Sequence, residues 1–119
     1  MEIIKAVARG FNPDIASLLL RQDYCFEILI LSDYAKEKNR GIRLKGRIIG
    51  SEGKTRKIIE ELTETHISVY GKTIGIIGLP ENVAVARGAI ESLLKGAPHS
   101  SVYRWLEKRS KELRMKLKI

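Results

Sequence analysis

Sulfur, imidazole and proline are scarce in this sequence. Its 119 residues include one cysteine, two histidines and three prolines. The lone thiol, Cys25, excludes a disulfide framework and any zinc site made of clustered thiolates. With no base patterned beside it, Cys25 reads as a small buried hydrophobe rather than a catalytic nucleophile. His66 and His99 stand far apart, with no metal set or triad around them, so no metal and no cofactor is expected. His66 reads as strand surface and His99 as a helix cap or surface residue. No apolar run approaches the roughly 18 residues of a membrane span, and the N-terminus lacks the charged-apolar-small order of a signal peptide. The expectation is a soluble, cytoplasmic protein without membrane contact. Amides are few too, with one Gln and three Asn against 30% charged residues, a balance that leans towards a thermophile.

Positive charge is what the chain has in excess. The net charge is +8, and it is placed unevenly. Residues 36–57 carry +7 and residues 99–119 carry +5, whereas residues 1–35 and 58–98 carry −2 each. A solvated lysine-rich face is the ordinary explanation of such a bias. Here the main excess surrounds one glycine loop, which favours a polyanion as partner.

That loop is Gly50-Ser51-Glu52-Gly53, preceded by Gly46-Arg47-Ile48-Ile49 and followed by Lys54-Thr55-Arg56-Lys57. Glycine permits positive φ and close backbone approach. A loop opening a helix presents free N–H groups and a positive dipole end to phosphate. A Walker A loop would need glycine five positions before Gly53, where Ile48 stands. Two readings stay open for the loop alone: a glycine turn between two helices, or the G-x-x-G clamp that holds about four nucleotides by their backbone.

The flanking pattern decides between them. Residues 2–9 look helical and end at Gly10. Asn12 and Pro13 start another helix with Ile15, Leu18 and Leu19 on its apolar side. Residues 25–31 read as a strand, with Phe26, Ile28 and Ile30 on one face; the other face, Cys25, Glu27, Leu29 and Leu31, is expected to be covered by the N-terminal helices or a partner. Residues 32–41 read as a surface loop and 42–49 as a short helix, in which Gly46 lets another segment approach. Ile58, Ile59 and Leu62 mark a helix to about Glu64. Residues 66–70 and 73–78 form a tight hairpin through Gly71-Lys72. Pro80 opens a helix with Val83, Ala86, Ile90, Leu93 and Leu94 at helical spacing, stopped by Gly96 and Pro98. Residues 99–118 make a basic helix with Val102, Leu106, Leu113 and Leu117 in a stripe beside Tyr103 and Trp105. Strand, helix, GXXG, helix, strand, strand, helix is the type I KH order, an α+β fold with a three-stranded sheet packed by helices.

The likeness is closer than a fold. Gly46 to Arg56, Ile59-Glu60-Glu61-Leu62-Thr63, Ile67-Ser68-Val69-Tyr70-Gly71-Lys72-Thr73 and Gly96-Ala97-Pro98-His99-Ser100, with Ala8-Arg9-Gly10-Phe11 and Asp33-Tyr34, resemble the KH-domain small-subunit ribosome assembly factors of the partner-of-Nob-one type. The resemblance implies single-stranded RNA binding to precursor small-subunit rRNA near its 3′ end, beside a Nob-type endonuclease, with no enzymatic activity. It divides the chain into a helical remnant of a preceding KH unit (1–24), a KH domain (25–98) and a C-terminal basic helix (99–119). A general single-strand nucleic-acid module and a protein scaffold with a vestigial groove remain as alternatives.

The expected RNA surface begins at the loop. The backbone from Gly50 through Ser51 and Glu52 to Gly53 approaches sugar-phosphate, with Glu52 turned to solvent. Gly46 and Ile49 flank it, and Arg47, Lys54, Arg56 and Lys57 supply charge. Arg56 stands where many KH modules place an apolar residue, so it is expected to point outward. Bases lie over the groove against the strand of Ser68 and Tyr70, whose backbone reads their edges, and Lys72 meets a second phosphate. Arg104, Lys108 and Arg109 extend the surface along the last helix.

Overall fold

The computed structural model describes residues 2–117, and side chains for residues 2–115. Two short helices lead in, α1 (Glu2–Ala8) and α2 (Pro13–Ala16). Gly10, at φ 91°, ends α1, and the Asn12 side chain caps α2 by accepting the Asp14 N–H at 2.7 Å. Strand β1 (Cys25–Ile30) follows, then α3 (Lys38–Ile49), α4 (Lys54–Thr63), β2 (His66–Tyr70), β3 (Thr73–Gly78), α5 (Pro80–Leu94) and α6 (His99–Leu117). The sheet has the order β1-β3-β2 and is antiparallel throughout. This is the expected type I KH architecture, with helices added at both termini.

Strand β3 is central, and all six of its residues are buried. One sheet face meets α3 to α6 in the main core. Leu29 from β1, Leu31 just after it, Ile67 from β2, and Ile74 and Ile76 from β3 pack there with Leu44, Ile48, Ile59, Val83, Ile90, Leu93, Val102 and Leu106. The opposite face meets the N-terminal segment through Ala6, Phe11, Ala16 and Ile77, with Phe26 packed alongside. Gly75 makes this possible. A Cβ there would lie 2.7 Å from the Phe11 ring and 3.0 Å from the Phe26 ring. The two rings meet edge to face at 5.7 Å.

Four expectations change. The N-terminal helices cover the Phe26 face of β1, not the Leu29 face, and they leave Ile28 and Ile30 exposed at its far end. Helix α3 begins four residues earlier than read, at Lys38; Gly41 hid its first turn by lowering local helix propensity. Its buried residues are Leu44 and Ile48, while Ile42 is exposed. Gly46 admits no close segment, because a Cβ there would meet nothing within 4 Å.

Candidate nucleic-acid interface

Helices α3 and α4 pack on the sheet and bring their ends together at residues 50–53. The backbone there turns through three positive-φ residues, Gly50 (75°), Glu52 (55°) and Gly53 (74°). Gly50 is glycine for a steric reason as well. A Cβ would come 2.7 Å from the Thr55 nitrogen and into its hydroxyl. Gly53 has space, with its nearest neighbour, the Arg56 guanidinium, 3.9 Å from an added Cβ. Glu52 holds a conformation that costs a residue with a Cβ about 1 kcal/mol, and its side chain is exposed. Gly53 N–H donates to Gly50 O at 3.2 Å, and the Lys54 N–H donates to Ser51 O, which closes the turn. Ser51, Lys54 and Lys57 are exposed around it.

Helix α6 supports both flanks of this loop. On the α4 side, the hydroxyls of Thr55 and Tyr103 are 2.9 Å apart. On the α3 side, His99 Nε2 donates to Arg47 O at 3.0 Å. His99 and Tyr103 are one turn apart on α6, with their rings in edge contact at 6.0 Å. Arg47 itself is occupied elsewhere. Its guanidinium donates to Leu93 O at 3.1 Å and to Ala97 O, closing the C-terminal end of α5. This side chain, expected at the loop, serves the α5–α6 turn instead.

The groove beside the loop lies between Ile49, Arg56 and Glu60 on one wall and His66 to Val69 on the other. Arg56 does not point outward. It pairs with Glu60 at 3.0 Å and reaches Ile67 O at 3.4 Å, while the other Glu60 oxygen accepts the Ile67 N–H at 2.8 Å. An edge strand has unpaired backbone groups, and a carboxylate one turn beyond Arg56 draws the guanidinium over them. The backbone of Ile67, expected to read a base, is thereby already bonded. The Ser68 hydroxyl donates to Arg9 O at 2.9 Å, and Tyr70, still half exposed, lies against Gly10. The N-terminal segment therefore forms an end of the groove through Gly10, Phe11, Asn12 and Ile15. Sequence reading assigned it no such place; the only signal was a glycine-phenylalanine pair after a helix.

Lys72 is exposed on the hairpin turn, apart from this groove. On α6, Arg104 and Lys108 share an exposed face by their spacing of four. Arg109 is set apart from them. It lies over the Trp105 ring at 5.6 Å and pairs with Glu112 at 3.1 Å, and that ring packs on Gly88 of α5. Among the acids, Glu27 and Glu91 are bound by Arg87 at 2.8 and 3.0 Å. Those hydrogen bonds, to Glu91 first, raise the Arg87 pKa. Burial, and then Glu27, push the Cys25 thiol above its ordinary range, so it stays protonated at neutral pH. Among the described residues there is no cluster of three or more side chains suited to a metal, and no helix is long and apolar enough to cross a membrane.

Comparison with known proteins matches these features to named relatives. A family model for the second KH unit of PNO1, described as a eukaryotic-type, type I KH domain, matches residues 25–111. A KH domain-containing protein of Methanocaldococcus jannaschii is 45% identical over 113 residues, which cover 95% of this chain and 50% of that protein. A pre-rRNA-processing protein PNO1 of Chaetomium thermophilum is 37% identical over 86% of this chain and 40% of its own length. Among solved structures, an a/eIF2alpha-aDim2p-rRNA complex from Pyrococcus horikoshii matches with TM-score 0.87 and 47% identity, covering 93% of this chain and 60% of that one. The chain spans about half the length of the curated relatives it matches.

Proposed function

The chain belongs to the PNO1 class of type I KH domains, and from that membership we propose that it binds single-stranded RNA through the 50–53 loop and the adjoining groove. The observation that carries the reading is the loop itself. Three positive-φ positions within four residues turn the backbone at the surface beside the exposed Lys54 and Lys57, with a second helix fastened behind them. Its RNA is the small-subunit rRNA precursor near its 3′ end, and a Nob-type endonuclease works beside it. The names of the relatives, one a pre-rRNA-processing protein and one a member of an rRNA complex, support this assignment. The protein binds and presents RNA and does not cleave it. Crosslinking to total RNA in its own cells tests the target; crosslinks spread without preference for the small-subunit 3′ region would leave a general single-strand module.

Binding of this kind is salt-dependent. If about four phosphates are neutralised, log affinity falls against log salt with a slope of about −3 on the single-strand coefficient. A flat profile in a titration from low to physiological salt would favour the scaffold alternative.

The Arg56–Glu60 pair has its own expected effect. Glu60→Ala frees the Ile67 N–H, frees the guanidinium and removes a negative charge from the groove. Affinity for single-stranded RNA should tighten about two- to tenfold, the range of one hydrogen bond's net contribution. Fluorescence anisotropy measures it; weaker binding would mean that the pair holds β2 in its binding shape.

A further inference from the structure

A cleft of about 530 Å³ lies at the far end of α4 from the glycine loop, about 15 Å along the helix. The last turn of α4, the start of α5 and the second half of α6 enclose it. Leu62, Leu79, Pro80 and Leu113 give it apolar walls, and the three leucines stay only half buried. Asp23, Glu64 and Glu81 stand around it against one cation, Arg114. Among the described residues none of these four is in an ion pair. The cleft is thus acidic on a chain of net charge +8.

Polar groups inside it also lack partners. The last carbonyls of α4 find no N–H within their own helix, and no side chain caps the start of α5. The first bonded N–H of α5 is that of Val83, which donates to Leu79 O at 2.8 Å. Glu81 and Asn82 precede it, and their N–H groups stand at the cleft wall. Ser110 is a separate sign of a missing partner. It is 7% exposed, yet its hydroxyl makes no hydrogen bond to another described residue. Among the described residues no sealed side-chain oxygen lacks a partner, so this hydroxyl reaches solvent through the cleft that it lines.

We propose that this cleft is a docking site for a short basic segment of a partner protein. An aliphatic side chain of the segment sits among Leu62, Leu79 and Leu113, and its flanking lysines or arginines meet Asp23, Glu64 and Glu81. Its backbone gives carbonyls to the start of α5 and N–H groups to the end of α4. Three features select this occupant. The carboxylates repel a nucleic acid and attract a cation. The facing ends of α4 and α5 offer acceptors and donors together, which a peptide backbone satisfies and a simple amine does not. The leucines reward an apolar side chain that covers them. The site is independent of the RNA-binding reading, so failure of either leaves the other standing.

The test titrates three acetylated hexapeptides into the ¹⁵N-labelled protein and follows its backbone amide shifts. One alternates lysine and leucine, the second has serine for leucine, and the third has glutamate for lysine. The lysine–leucine peptide should shift the amides of Glu64, Asn82 and Leu113 and leave those of Ser51 and Gly53 unmoved. It should bind about tenfold tighter than the serine peptide, the range of one buried leucine, and the glutamate peptide should not bind. Glu64→Gln with Glu81→Gln should weaken it about three- to tenfold, the loss of two surface ion pairs. Ser110→Leu, which fills the cleft, should block it. Unmoved amides at millimolar peptide, equal binding of either control peptide, or full affinity in either variant would overturn the proposal. So would movement of the same amides with protein concentration alone, which seats a second copy there, or with tetrauridylate, which seats RNA.

Discussion

Gly53→Asp should weaken single-stranded RNA binding by about tenfold or more while the protein stays folded. The position has φ 74°, a conformation that aspartate tolerates better than most residues, and a new Cβ finds its nearest neighbour at 3.9 Å. The added carboxylate stands where phosphate is to lie, and the loss of two phosphate contacts is worth about tenfold near 0.15 M salt. The same change at Gly50 is a poorer probe. Its Cβ would enter the Thr55 backbone, so Gly50→Asp deforms the loop before charge has any effect. The double variant should therefore lose both binding and some stability, and the single Gly53 variant carries the inference. Wild-type affinity in a folded Gly53→Asp protein would take the loop out of the interface.

Leu106→Ala carries the largest expected effect on stability. Leu106 is fully buried on α6, in contact with the main core. A leucine-to-alanine cavity at such a site costs about 2–5 kcal/mol, and for a domain of this size the melting temperature should fall by on the order of 10 °C. Urea unfolding measures the first and a thermal scan the second. Arg104→Ala with Lys108→Ala is the paired control, with both side chains exposed and stability expected within about 0.5 kcal/mol of wild type. A cost under about 1 kcal/mol for Leu106→Ala would mean that α6 merely lies on the surface.

The elements with strong periodicity were legible from the residues. Val83, Ala86, Ile90, Leu93 and Leu94 are all buried on α5, as their spacing indicates. The hairpin and the Asn12 cap were equally plain, because turn and cap chemistry is local. The side of β1 that meets the main core was not. Both of its faces are apolar, and alternation separates two faces without saying which lies inward. Arg56 shows the other limit. A cation beside a glycine loop reads as free charge, and its capture depends on Glu60 one turn on and on an edge strand that folding brings alongside. Arg47 was hidden in the same way, since its acceptors are carbonyls at the far end of α5. Spacing within one helix exposes some partners, such as Arg56 and Glu60; partners supplied by another element appear only in three dimensions.

The bonds from α6 to the loop have a consequence in time. Tyr103 follows Thr55 by 48 residues, and His99 follows Arg47 by 52. A ribosome adding about 5–20 residues per second needs roughly 2.5–10 s to cover that distance. For that interval the glycine loop exists on the nascent chain without its rear support. The finished shape of the loop thus waits on a helix translated well after it, and a chain released before α6 would carry the motif without the brace that holds it.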